Sequence, residues 1–423
     1  MKREGAVSGS GTRVLALAGT GSRVSGWARI LLSEYGDRYR LGGLYDIDPG
    51  RMQGFNELLG TAIPEFHDFD RMLAELRLDA VLITTVDRFH ADYVVRTLRA
   101  GIDCICEKPL CVNAGQCRMI LEAAARSSAC AITTHNDRYT PQNYRVKQLL
   151  ESGLIGEIRS INFQEYLDRR HGSSYFRRWN RRKENSGGLL IHKASHHFDL
   201  INWYLGAEPE RVFAQGGLLA YGPAASPFRG ERCCECPHAS GCPMYVDYSD
   251  YEQYQKLYYR HRAPGGYTPD LCVYDPEIDI EDHVTAGIRY PGGVCVSYTL
   301  SAHSSTEGQN IAIEGTTGKL EVSSRHHTGR DVVNPEKFRT SIKLCRMDGY
   351  EEEIPVETGT GGHGGADRAI IREIFGPADF SGSWRSGSLA TLRDGIQAVL
   401  VGIAANDSIA TGRAVEVQPL LGR

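Results

Sequence analysis

Arg13-Val14-Leu15-Ala16-Leu17-Ala18-Gly19-Thr20-Gly21-Ser22-Arg23 is the stretch on which the fold turns. Its apolar first half reads as a buried strand, and Gly19 and Gly21 follow without a break. Trp27, Ile30, Leu31 and Leu32 then recur at helical spacing. Strand, glycine turn and helix in that order are the setting in which a backbone can cradle a diphosphate. The first glycine permits the tight turn, and the second lets the main chain approach a pyrophosphate lying on the helix N-terminus. Val24 stands where the usual pattern has its third glycine, and Gly26 comes two residues later. Two glycines alone do not separate a cradle from an ordinary loop, so the surroundings carry the reading.

Downstream the alternation continues. Leu41-Gly42-Gly43-Leu44-Tyr45 supplies a second strand that ends in Asp46. An acid at that strand end can accept the ribose hydroxyls of an adenosine and repels a 2′-phosphate, which favours NAD over NADP. Its other reading is a helix N-cap, a role that Asp48 fills better ahead of Pro49. Asp79-Ala80-Val81-Leu82-Ile83-Thr84-Thr85 is a third strand and leads to Asp87 and His90. The apolar run ending at Cys106 breaks at Glu107-Lys108-Pro109, because proline cannot extend a ladder. A lysine at the carboxyl edge of such a sheet, partly desolvated beside a cofactor, can act in proton transfer. Taken alone, Glu107-Lys108 is a surface ion pair before a turn. A further strand ends in His135-Asn136-Asp137-Arg138. Strand–helix alternation over about 140 residues predicts an α/β fold that opens with a doubly wound parallel sheet, a Rossmann domain at 13–140.

After Pro141 the texture changes. A helix at 144–151 is followed by period-two strands at 158–166, 211–219, 283–290, 294–301, 310–314 and 319–322, and helices at 366–374 and 389–408 close the chain. This predicts an α+β domain at 141–423 with a large, mostly antiparallel open sheet. Within it, Gly187-Gly188 precedes an apolar helix on which His192, His196 and Asp199 stand at i, i+4 and i+7, one helical face. Three ionisable groups on one face of a buried helix are costly unless paired, which points to a site. Histidines at i and i+4 can also grip zinc, but the His-Glu-x-x-His pattern of a catalytic zinc helix is absent.

Two domains suit 423 residues, and a hydrophobic fraction of 41% suffices for a core. The net charge of -4 calls for neither nucleic acid nor an acidic membrane surface, and no apolar run reaches bilayer length. Met1-Lys2-Arg3-Glu4-Gly5 leads into Ser8-Gly9-Ser10-Gly11 rather than the apolar core of a signal peptide, so a disordered tail is expected at 1–12. Twelve cysteines, five of them in the first domain, read as reduced thiols of a cytoplasmic protein.

With Gly19-Thr20-Gly21, the Glu107-Lys108-Pro109 turn, and Gly187-Gly188 followed by His196 and Asp199, the chain resembles the Gfo/Idh/MocA family from Val14 to about Leu420. The resemblance implies a Rossmann domain followed by an α/β domain whose open sheet joins subunits into a homodimer or homotetramer. It implies an NAD(P)-dependent oxidoreductase that transfers hydride between nicotinamide and a secondary alcohol of a sugar, polyol or glycoside. Lys108 takes the place of the catalytic lysine and His196 that of the catalytic histidine, while His192 stands where the family often has Asp. Cofactor contacts are implied for Gly19, Gly21, Ser22 and Arg23 in the first turn, and for Asp46, Thr85, Asp87, His90, Glu107, Lys108 and Asn136 at later strand ends. Substrate contacts are implied for Arg138, Tyr175, Arg178, Trp179, Lys193 and His197. Two alternatives share the fold: an NAD-dependent glycosidase or lyase working through a transient keto-sugar, and a non-enzymatic sensor. Intact Lys108 and His196 argue against the sensor.

An insert at 226–279 departs from the family pattern. Cys233-x-x-Cys236-x5-Cys242 together with distant Cys272 has the ligand types of a four-thiolate structural zinc site. An iron–sulfur cluster and a loop of unligated thiols are the alternatives. The insert lacks apolar runs of its own, and its position in the chain leads us to expect it over the substrate cleft. Its tyrosines from Tyr245 to Tyr259 read as a packed surface.

Overall fold

The computed structural model describes residues 12–326, 339–357, 362–376 and 388–422, so the expected tail lies outside them except for Thr12. The first sheet comprises β1 (Arg13–Ala18), β2 (Tyr39–Tyr45), β3 (Glu65–Phe66), β4 (Ala80–Ile83), β5 (Asp103–Cys106) and β6 (Ala131–Thr133). These strands are parallel. All four residues of β4 are buried, the mark of a strand covered on both faces by helices. The order from one edge is β6-β5-β4-β1-β2-β3. The order reverses between β4 and β1, which opens a crevice at the carboxyl ends of the strands. The turns after β1, β4, β5 and β6 all empty into it. Asp48 caps the helix Pro49–Leu59 by accepting the Gly50 N–H, as its sequence suggested.

The second sheet is built from β7 (Ile158–Asp168), β8 (Arg211–Gly217), β9 (His283–Arg289), β10 (Cys295–Ser304), β11 (Glu307–Gly315), β12 (Gly318–His326), β13 (Thr340–Arg346) and β14 (Glu351–Ile354). Only the β7–β10 pair among these is parallel. Its inner face carries Val284, Ala286 and Ile288 beside Val296, Tyr298 and Leu300, all buried under the helices Ser195–Leu205 and Leu392–Thr411. Each such apolar side chain contributes roughly 1.5–3 kcal/mol of burial free energy.

Four details depart from the sequence reading. The strands β13 and β14 were not expected. β15 (Ala390–Thr391) pairs antiparallel with β6 and so joins the first sheet, and Thr391 starts the closing helix with a capping box to Asp394. β16 (Val415–Glu416) adds an antiparallel edge to β8. Most consequential, the helix expected to carry His192, His196 and Asp199 is broken into Leu189–His192 and Ser195–Leu205. The Ala194 N–H donates to the Leu189 carbonyl at 2.8 Å, an i to i+5 bond that widens the turn and takes His192 off the face carrying His196.

Candidate active site

At the β1 turn Gly19 adopts φ +90, and a Cβ there would stand 2.7 Å from the Thr84 carbonyl. No other residue fits that approach, so the turn is pressed against the end of β4. Asp46 Oδ2 accepts the Thr20 N–H at 2.8 Å and Oδ1 accepts the Asp48 N–H at 3.0 Å, with Arg51 at 3.6 Å. The strand-end acid therefore braces the glycine turn. Arg23 forms an ion pair with Glu107 at 2.7 Å and with Asp367 at 3.0 Å, and Asn136 donates to Asp367 at 2.8 Å. Asp367 comes from the helix Ala366–Phe375, and nothing in the sequence marked it. Gly21 and Ser22 lie beneath Tyr258 of the insert.

The β4 and β5 turns meet the second domain. The His90 ring spans the Pro109 carbonyl (2.7 Å) and the Thr85 carbonyl (3.1 Å), so it ties one turn to the other. Thr85 and His90, both expected at the cofactor, are tied to each other here through the His90 ring. The Lys108 ammonium donates to the His192 carbonyl at 2.9 Å. Asp87 Oδ2 stands 2.6 Å from His192 Nδ1, and the Asn180 amide donates to His192 Nε2 at 3.0 Å. An amide nitrogen can only donate, so Nε2 accepts and Nδ1 carries the proton to Asp87. Asp87, expected at the cofactor, anchors His192 here.

Burial pushes Lys108 down to about 8, with Asp87 and Glu107 opposing. Burial likewise raises Asp87 to about 8, against the pull of His90 and Lys108. The two titrate as a pair. Burial, with Lys108 and Lys193 nearby, holds both His192 and His196 well below the ordinary imidazole range, so both rings are neutral. They differ in their partners. Both His192 nitrogens are engaged, whereas Nδ1 of His196 has no hydrogen-bond partner and its nearest acid, Asp137, is 4.0 Å away. His196 thus keeps a nitrogen free to form a new bond, as does the fully buried His135 ring, which stands edge-on to it at 5.8 Å.

Of the expected substrate contacts, Tyr175 and Trp179 stand edge-on to the His192 ring, each with centroids 5.5 Å away. Arg178 donates to Tyr254 of the insert at 2.8 Å. Lys193 pairs with Glu165 at 3.2 Å, and His197 lies between Glu165 (3.4 Å) and the Tyr298 hydroxyl (2.8 Å). Burial works against the Glu165 carboxylate, yet Lys193 and His197 keep its pKa below the usual range. Arg138 makes a two-pronged pair with Asp199 at 2.7 and 2.6 Å. Arg138 and His197, both expected at the substrate, are buried in these pairings.

Residues 15–135 match the NAD-binding Rossmann fold of the oxidoreductase family, and residues 147–417 match that family's C-terminal alpha/beta domain. The chain belongs to the Gfo/Idh/MocA family. It is 34% identical over 381 residues to YteT of Bacillus subtilis (strain 168), a protein named as an oxidoreductase, covering 85% of this chain and 88% of that one. An inositol 2-dehydrogenase of Rhizobium meliloti (strain 1021) is 30% identical over 37% of this chain and 45% of its own. A crystal structure of an Agrobacterium radiobacter oxidoreductase with NAD+, L-tartaric acid and magnesium has the same fold (TM-score 0.66, 17% identity, covering 97% of this chain and 100% of that one). This Gfo/Idh/MocA protein is accordingly an NAD(P)-dependent oxidoreductase. Its residues fit the dinucleotide: the left-handed Gly19 leaves the turn without a side chain, and the buried Asn136 Oδ1 has no partner. No described helix is long and apolar enough to cross a membrane.

The insert is the part least like the Gfo/Idh/MocA pattern. Cys272 returns to the start of the insert, its N–H donating to the Glu231 carbonyl at 3.0 Å beside an Arg232–Leu271 bridge. Cys233, Cys236, Cys242 and Cys272 line one small cavity with Met244 and Tyr245, and no cysteine is in a disulfide. Among the described residues, however, no group of three or more His, Cys, Asp or Glu stands at metal-holding spacing. Residues 253–261 of the insert dock on the Rossmann domain, and Tyr254 among them also meets Arg178.

Proposed function

We propose that this oxidoreductase acts on a secondary alcohol of a sugar, polyol or glycoside and prefers NAD to NADP. The observation that carries the reading is the presence, at the junction of both domains, of a half-buried Lys108 ammonium held by the His192 carbonyl and of a neutral His196 ring whose Nδ1 has no partner, close enough to feel the lysine's charge. The dinucleotide, when bound by the β1 turn and its neighbours, supplies the hydride acceptor. His196 takes the alcohol proton. Lys108 donates to the same oxygen and stabilises the negative charge that develops there. His192, locked by Asp87 and Asn180, presents the carbonyl that orients Lys108. Trp179, packed edge-on beside His192, is the aromatic group nearest at hand for a sugar ring, while Tyr175 is buried with His171 stacked on it. The Asp46 charge supports the NAD preference. Incubation with a panel of sugars, polyols and glycosides, following absorbance of reduced cofactor and release of aglycone, tests the reading. Aglycone release without net cofactor reduction would replace it with redox-assisted elimination.

We also take the open second sheet as the subunit interface, supported by the exposed alternate residues of β9, and sedimentation velocity tests it. For the four cysteines we keep one structural zinc as the proposal, supported by the return of Cys272 to the cavity of the other three. Closing them on an ion requires the thiols to draw inward.

A further inference from the structure

The insert leaves the second domain after β8 and returns at β9, yet part of it is built into the first domain. Leu257 is 3% exposed and lies in the apolar cluster of Met52, Phe55 and Leu58. Two glycines of the helix Pro49–Leu59 make room for it. A Cβ on Gly50 would stand 2.0 Å from the His261 carbonyl oxygen, and one on Gly54 would stand 2.1 Å from that of Lys256. Glu57 binds His261 at 2.8 Å and also pairs with Arg260.

From this footing the segment reaches the glycine turn. The Tyr258 hydroxyl accepts the Ser22 N–H at 2.9 Å. Gln253 donates to the Ser22 and Ser25 hydroxyls at 2.9 and 2.8 Å. The Arg51 guanidinium lies 5.3 Å from the centre of the Tyr258 ring and 3.6 Å from Asp46, so the strand-end acid is under the same cover. Ser22 opens the helix Ser22–Glu34, whose unpaired N–H groups are what a Rossmann turn offers to a diphosphate. One N–H cannot donate fully to two acceptors.

We propose that residues 253–261 gate the dinucleotide site. Seated, Tyr258 holds a donor that the diphosphate needs, and the dinucleotide enters and leaves only when the segment lifts from the helix Pro49–Leu59. The gate rests on the dinucleotide reading of the β1 turn. It predicts that cofactor exchange is limited by lifting rather than by encounter, so the observed association rate levels off as nucleotide concentration rises.

Stopped-flow NADH fluorescence on the full chain, with the Tyr258→Phe and Gly54→Ala variants, tests it. Removing the hydroxyl removes the competitor, so Tyr258→Phe binds NADH about fivefold more tightly, the worth of one net neutral hydrogen bond. Gly54→Ala forces the segment off its seat, and NADH then associates and dissociates faster than with the parent protein. Circular dichroism checks that the variant is folded. Weaker NADH binding by Tyr258→Phe would make the hydroxyl a ligand of the diphosphate and overturn the gate. So would unchanged exchange rates in folded Gly54→Ala. If neither parent nor variants bind NADH, the dinucleotide reading itself fails, and the gate with it.

Discussion

The polar cluster at the end of the first sheet and the thiol cavity of the insert are each assembled from residues far apart in the chain. They are held in different ways. In the cluster, Asp87, Lys108 and His192 are partnered at 2.6–3.0 Å, and Arg138 grips Asp199 on both oxygens. A charge taken out of water costs several kcal/mol unless it is paired, so these side chains locate one another. A thiol is only weakly polar and tolerates burial without a partner. Apart from the Arg177 guanidinium donating to Cys233 Sγ at 3.6 Å, the cysteines are placed by the backbone around them, and they stop short of a ligand set. Burial of charge imposes geometry that burial of sulfur does not.

The sharpest way to break this contrast lies in the cluster. Lys108→Ala should lower turnover by about two to four orders of magnitude, the range of a lost proton-transfer or charge-stabilising group. Circular dichroism should stay near that of the parent protein. Unchanged turnover would show the lysine to be only a tie between domains. His196→Gln, made in parallel, should fall by a similar factor.

Next in size is a loss of stability rather than of chemistry. Arg138→Met leaves the buried Asp199 without its partner, and urea unfolding should show a loss of about 3–5 kcal/mol. A loss under about 1 kcal/mol would mean that Asp199 finds water, and that pairing does not dictate this geometry.

The pH profile sharpens the contrast further. Lys108 loses its proton as pH rises through about 8, so a step that needs the ammonium should weaken above that value. Because His196 is held neutral well below the ordinary imidazole range, the same rate should stay level from pH 8 down to about 6.5. Asp87 opposes the burial that depresses Lys108, so Asp87→Asn should move the alkaline limb to lower pH. An unmoved limb would separate Asp87 from the lysine.

The smallest effect on turnover should come from the insert. Cys236→Ser should change it less than about twofold while lowering Tm by a few degrees. The zinc proposal expects about one equivalent per chain in protein purified without added metal. Less than about a tenth would leave the cavity as packing. A full equivalent, lost in Cys236→Ser, would show that an ion does for sulfur what pairing does for charge.

Much of the fold was legible because apolar runs such as β4, buried on both faces, leave the chain few alternatives once glycine turns and caps mark their ends. The first sheet and the alternating second sheet came from local pattern and resemblance alone, and the proposal for Lys108 and His196 began there too. The edge strand β15 and the hairpin strand β14 did not, because they are too short to carry a period. Tertiary structure alone decided which histidine is available. Sequence put His192 and His196 on one helical face, and one i to i+5 bond separated them. Asp87, 105 residues from His192, then claimed the first ring. Arg138 claimed Asp199 across 61 residues. Such pairings follow from which charges burial brings face to face, and spacing along the chain does not encode that.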